Sequence, residues 1–171
     1  MAVDSIEPRQ SLEVSLDMDL FFPYQLTQLQ SSVSDNIAEI YTGHFDLTRH
    51  EWRILAVLGT GQALSAKHIG QLINLEKMQT SRALAKMINK ALIVKVEDRS
   101  DKRSSLLKLT VQGLRVHREL APMVLAREQA LLSVLSEDEH DQLKQIMDKL
   151  FAQSKAIQAQ AKSLFTSYKE D

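Results

Sequence analysis

Gln79, Arg82 and Lys86 fall at i, i+3 and i+7 of one helix-periodic segment. With Leu84 set inward and a step of 100° per residue, Met87, Ile88 and Ala91 lie within about 60° of it. The three polar residues then lie within about 40° of the opposite pole. Gln can pair two-point with adenine, Arg with guanine, and Lys neutralises phosphate, so this face suits the reading of duplex DNA. Lys77 and Thr80 on the same helix, and Ser65 at the start of the helix before it, complete the expected contact set. A second basic group, Arg99, Lys102 and Arg103, occupies a polar turn, with Asp101 two residues before Arg103. A narrow minor groove attracts guanidinium, and a neighbouring carboxylate can hold the arginine in one rotamer. A solvated helix face and a salt-bridged turn would account for the two groups singly; together they point to DNA.

Leu26, Leu29, Val33, Ile37 and Ile40 recur at three- and four-residue spacing, so a helix opens at Phe22-Pro23 and breaks at Gly43. Thr48 with Glu51 forms a capping box for a second helix that turns Trp52, Leu55 and Leu58 inward and stops at Gly59-Thr60-Gly61. Ser65 starts a short third helix, and after the turn at Asn74-Leu75 a fourth runs from about Glu76 to Lys90. A short helix, a tight turn and a longer helix let the second helix lie in a major groove. Leu92–Glu97 and Ser105–Thr110 are β-compatible runs flanking the basic turn, and they read as a hairpin. A long helix follows from Val111 to about Leu135, continuing through Pro122 with a bend. Ser136 with Glu139 caps a last helix reaching about Phe165, where Leu143, Leu150, Ile157 and Leu164 repeat every seven residues. Such a heptad marks a helix–helix seam.

Composition narrows the function classes. The chain has 171 residues, 44% apolar and 25% charged, so it affords one packed domain. Without cysteine, disulfides, thiolate nucleophiles and Cys-ligated metals are excluded. No apolar run is long enough to span a bilayer, and the N-terminus is acidic, which predicts a cytoplasmic protein. The net charge of −1 hides an asymmetry: eight bases against four acids from Glu76 to Arg103, but one against five in the first twenty residues. The five histidines are scattered, and no HExxH pair, GxSxG elbow or GxxxxGK loop is present, so neither an enzyme nor a metal site or cofactor is expected. A helical protein–protein module without DNA binding is the alternative; it would use the heptad helix and leave the basic hairpin idle.

Asp101-Lys102-Arg103 followed by Leu107-Lys108-Leu109-Thr110 resembles the wing signature of the MarR family of winged-helix regulators. Leu47-Thr48 with Glu51-Trp52 and Leu55 to Leu58 is similar to that family's second helix, Ser81-Arg82 to its recognition helix, and Leu135 to Glu139 with Leu143 to the start of its last helix. The resemblance covers about residues 22 to 152. It implies a mainly α, winged helix-turn-helix fold with a two-stranded β-hairpin wing and a helical dimerisation region drawn from both termini. On that reading residues 1–19 are a flexible acidic arm and 20–165 a single domain, with its winged core at 45–110. Residues 20–44 and 111–165 are dimerisation helices, and 166–171 a tail. Phe22, Leu26, Leu143, Leu150, Ile157 and Leu164 are the expected dimer contacts.

The resemblance further implies a homodimer on a pseudo-palindromic DNA operator, acting as a repressor released by a small aromatic effector, a carboxylate or phenol of hydroxycinnamate or hydroxybenzoate type. Tyr41, His44, Trp52, Arg53, His117 and Arg118 are the expected effector-binding residues, because a cation and an aromatic ring beside one crevice suit a planar carboxylate. Trp52 as plain core and Arg53 as a structural ion-pair partner is the simpler account of that pair. In one place the sequence departs from the family pattern: Ala91 stands where a glycine usually stops the recognition helix, which predicts a different helix exit.

Overall fold

A computed structural model describes residues 16–97 and 105–167, the last six of these by backbone alone. The element order is α1 (Phe22–Gly43), α2 (Arg49–Leu58), β1 (Leu64–Ser65), α3 (Ala66–Leu72), α4 (Lys77–Asn89), β2 (Ile93–Glu97), β3 (Ser105–Leu109), α5 (Val111–Leu132) and α6 (Glu137–Ser167). The fold is mostly helical with a small antiparallel sheet, as expected. That sheet has three strands in the order β1-β3-β2, not two. Leu64 and Ser65 pair with Leu107 and Leu106, and this short edge ties the hairpin to the start of α3.

Local chemistry sets the boundaries. The Thr48 side chain accepts the Glu51 amide while the Glu51 carboxylate accepts from the Thr48 amide, closing the capping box of α2. Glu51 is also buried, at 1% exposure, which periodicity did not predict. Its Oε2 lies 3.3 Å from Lys90 Nζ at the end of α4, and the ammonium also meets the Asp46 carboxylate at 3.2 Å and donates to the Asp46 carbonyl. Burial pushes the Lys90 pKa down, but the Asp46 hydrogen bond and the Glu51 charge outweigh it, so the pKa is raised. The start of α2 is thereby tied to the end of α4.

Two helix stops use non-glycine residues in the left-handed region. Asn74 (φ 52) ends α3, with Leu75 N donating to Gly70 O at 2.9 Å. Ala91 (φ 55) ends α4, with Leu92 N donating to Met87 O and Ala91 N to Ile88 O, both at 2.9 Å. This is the bonding pattern a C-terminal glycine normally supports. The expected different exit is therefore corrected: the exit is retained, and Ala91 carries about 1–2 kcal/mol of left-handed strain that glycine would avoid.

The core gathers Ile40 and Tyr41 of α1, Ile54, Leu55 and Leu58 of α2, Ile69 and Ile73 around α3, Leu84 and Met87 of α4, Ile93 and Leu107 of the sheet, and Leu120 of α5. The stripe of α1 divides: its C-terminal end enters this core, while Leu26 and Leu29 are exposed. α5 runs unbroken through Pro122. Ser136 and Glu139 close the second capping box, and those hydrogen bonds lower the Glu139 pKa. Beyond them α6 packs appreciably on no other element, and every described side chain from Glu137 to Ala161 is exposed.

Candidate nucleic-acid interface

α3 and α4 meet through a close backbone approach. At Gly70 a Cβ would lie 2.8 Å from Thr80 Oγ1 and 3.2 Å from Leu75 O, so only glycine lets the two helices cross here. Thr80 is buried, and its hydroxyl bonds the carbonyls of Glu76 (3.0 Å) and Leu75 (3.3 Å). Its expected place on the DNA-facing side is thus corrected: Thr80 locks the turn between the helices. The buried set of α4 is Thr80, Ala83, Leu84 and Met87, whose centre lies about 50° from Leu84. Ala91, expected on the apolar face, is exposed, because the helix has already ended.

The outward pole is rotated to match. Met78, Arg82, Ala85 and Asn89 lie within about 30° of it, with Gln79 and Lys86 on one flank and Lys77 and Ser81 on the other. All eight are exposed. Gln79, Arg82, Lys86 and Lys77 were in the expected contact set and Ser81 was named with Arg82 in the recognition-helix resemblance; Met78, Ala85 and Asn89 were missed, and the signal that finds them is the phase set by Gly70 and Thr80. Among the described residues Lys77, Arg82 and Lys86 make no ion pair. Ser65 has a capping role, its hydroxyl accepting from the His68 amide at 3.2 Å.

Beside α4 runs an open groove of about 1140 Å³, walled by α3, α4 and the two hairpin strands. Lys67 and Gln71 of α3, Lys77 and Ser81 of α4, and Lys95 of β2 face it over an apolar floor that includes Leu84 and Leu107. Lys95 pairs with Leu107 in the sheet register, so the inner face of the hairpin changes from core at Ile93 to cationic groove wall at Lys95. Arg99, Asp101, Lys102 and Arg103 lie outside the described residues.

The six expected effector residues are only partly brought together. Tyr41 and Trp52 stack, with centroids 6.5 Å apart and planes 15° from parallel; Tyr41 is buried in the core and Trp52 is half-buried against it. His44 is exposed and tilts against Phe45. His117 lies half-buried with its ring on the backbone of Gly59, where a Cβ would sit 2.1 Å from Nε2. Arg53 and Arg118 are exposed, and among the described residues neither forms an ion pair. Of the expected dimer contacts, Phe22, Leu26, Leu143, Leu150 and Ile157 are exposed. The backbone of Leu164 is helical, and its side chain lies outside the description.

Comparison with known proteins supports the same reading. A family model described as the MarR family matches residues 45–104. Among solved structures, a MarR/EmrR family transcriptional regulator from Acinetobacter sp. ADP1 is 27% identical with a TM-score of 0.75, over 82% of this chain and 99% of that one. The S. aureus MepR–DNA complex (23% identity, TM-score 0.69, 78% of this chain and 98% of that one) shares the fold. So does the PcaV transcriptional regulator from Streptomyces coelicolor in complex with its natural ligand (23%, TM-score 0.67, 81% and 96%). No curated protein matches in sequence. No described helix is long and apolar enough to cross a membrane. Over residues 45–104 the chain matches the MarR family, and its fold is that of MarR-family winged-helix transcriptional regulators.

Proposed function

We propose that the protein represses transcription by occupying a pseudo-palindromic DNA operator as a homodimer, and that a small aromatic effector releases it. The observation that carries the DNA reading is the fully exposed outward face of α4, with Arg82 near its pole and with Lys77 and Lys86, which form no ion pair among the described residues, on its flanks. The groove between α4 and the hairpin adds Lys67 and Lys95 on its walls. On the sequence reading Arg99, Lys102 and Arg103 are assigned backbone and minor-groove contacts that add affinity with little base specificity, and Asp101 the task of holding Arg103 in one rotamer. The solved MepR–DNA complex shares this fold.

The test is selection of binding sites from random duplex DNA, followed by binding measured against salt. Affinity for the selected operator should fall steeply as salt rises, because phosphate contacts release counterions. A bidentate Arg–guanine pair is worth about 1–3 kcal/mol of discrimination. Arg82→Ala should therefore flatten base preference at one position per half-site while leaving thermal stability unchanged. No selected sequence, or binding insensitive to salt, rejects DNA recognition and favours a protein–protein module. Full preference in Arg82→Ala rejects that residue as a base reader.

The effector reading rests on Arg53, an exposed cation adjacent in sequence to Trp52, whose ring stacks on Tyr41, and free of any ion pair among the described residues. An aromatic carboxylate could place its ring by Trp52 and its charge on Arg53. Linkage requires that it bind the DNA-free dimer better than the operator-bound one, and a tenfold loss of operator affinity needs about 1.4 kcal/mol of that difference. Hydroxybenzoates, hydroxycinnamates and simple phenols should weaken operator binding, the acids much less so in Arg53→Ala. Silence across the whole set would remove this effector class; an unchanged response in the mutant would remove only Arg53.

A further inference from the structure

Met78 is 65% exposed on the first turn of α4, whereas Met87 at the other end of the same helix is fully buried. It is the one large apolar side chain that α4 exposes, and it lies within about 10° of the outward pole, nearer than any cation of the helix. A long apolar side chain at the most projecting point of a helix face made otherwise of Gln, Arg, Lys, Ser, Asn and one small Ala contributes nothing to solubility or to phosphate binding. It has one natural counterpart in a major groove, the C5-methyl of thymine, the apolar group among the base edges presented there. The unbranched thioether chain adapts its shape to such a contact.

We infer that Met78 is a specificity-determining residue that packs on a thymine methyl in each half-site. This deepens the DNA reading and depends on it. Met78 and Arg82 are one helical turn apart, with Cβ atoms about 5–6 Å apart, and successive bases along a strand are about 3.4 Å apart. The thymine therefore lies within two base pairs of the guanine read by Arg82. Lys77 beside Met78, and Lys86 one turn beyond Arg82, flank the contact with positive charge, so the methyl is met where the backbone phosphates already hold the helix.

Deoxyuridine, which lacks only the methyl, is the probe. Each thymine of the selected operator is replaced in turn, in both half-sites at once, and affinity is measured for the wild type, Met78→Ala and Met78→Leu. Burial of one methyl is worth about fourfold in affinity, so the wild type should lose about fifteenfold at one symmetric pair of positions. Met78→Ala should bind the thymine and uracil operators alike there, and Met78→Leu should restore discrimination. Because Met78 is 65% exposed and lies outside the core, all three proteins should melt at the same temperature. Operator binding with no uracil-sensitive position, or sensitivity that survives in Met78→Ala, overturns the inference while leaving DNA binding intact. Failure to bind any duplex overturns both.

Discussion

Leu150→Asp should give a monomer that binds the operator at least about a hundredfold more weakly than the parent dimer, because two linked half-sites gain by effective concentration. Among the described residues α6 packs appreciably on no other element of its own chain. α6 is 31 residues long, about 46 Å at 1.5 Å per residue, and isolated helices are marginal in water without a packed face. Leu143, Ile146, Met147, Leu150, Phe151 and Ile157 are all exposed along it, and the first turns of α1 add Phe22, Leu26 and Leu29. An unpartnered apolar surface of that extent marks an association site. A second copy of the chain is the occupant proposed here: one apolar seam then serves both subunits, and symmetry counts each contact twice. A buried aliphatic side chain is worth about 1.5–3 kcal/mol, and an aspartate in its place must be desolvated twice over. Since Leu150 is 42% exposed within its own chain, the winged core should fold unchanged. Sedimentation at micromolar concentration is the check; a monomeric wild type, or a Leu150→Asp protein that stays dimeric, defeats the proposal.

What the sequence made legible differs from element to element, for physical reasons. Both capping boxes were plain because they are local chemistry, a hydroxyl and a carboxylate three residues apart. The strands flanking the basic turn and the heptad of α6 were plain because each repeats a period over enough residues to fix it. β1 was not, since two residues carry no period and become a strand only by pairing with β3. The face of α4 was read about 50° out of phase for a related reason. Its apolar residues are few, so the choice among them was settled by a tertiary contact, the approach of Gly70 to Thr80, which draws a threonine inward. That same contact decides which side chains α4 turns outward, which is why Gln79, Arg82 and Lys86 were expected on the exposed side and Met78 was not. The residues expected to bind an effector were the least legible, because Tyr41 belongs to the core, Trp52 packs against it, and whether the arginines join them depends on packing between elements far apart in sequence.

The same dependence on a single close approach governs how α5 joins the winged core. Gly113→Ala should lower stability by about 3 kcal/mol or more. Thr110 caps α5 by accepting the Gly113 amide at 3.0 Å, donates its hydroxyl to Ala91 O at 2.6 Å, and sends its own amide to Leu92 O at 3.0 Å. The helix start is thereby pressed onto the chain just before β2, and at Gly113 a Cβ would stand 2.0 Å from Leu92 O. Leu92 is buried, and its carbonyl belongs to backbone that cannot swing aside as a side chain could. Relief requires α5 to lift away, which breaks the Thr110 bonds. Overpacking costs about 1–3 kcal/mol, the lost cap about 0.5–2 kcal/mol, and each remaining hydrogen bond about 0.5–1.5 kcal/mol. For a chain of this size a loss of 3 kcal/mol corresponds to roughly 6–12 °C in Tm. Gly43→Ala is the matched control: nothing lies within 4 Å of its Cβ position, and it closes α1, so it should be neutral or stabilising by up to about 1 kcal/mol. Denaturant unfolding of both variants checks the pair. Because α5 is the covalent path from the winged core to α6, the damaged variant should also bind its operator more weakly at temperatures where it is still folded. Equal stability of the two variants would mean that the seat of α5 on Leu92 yields without cost.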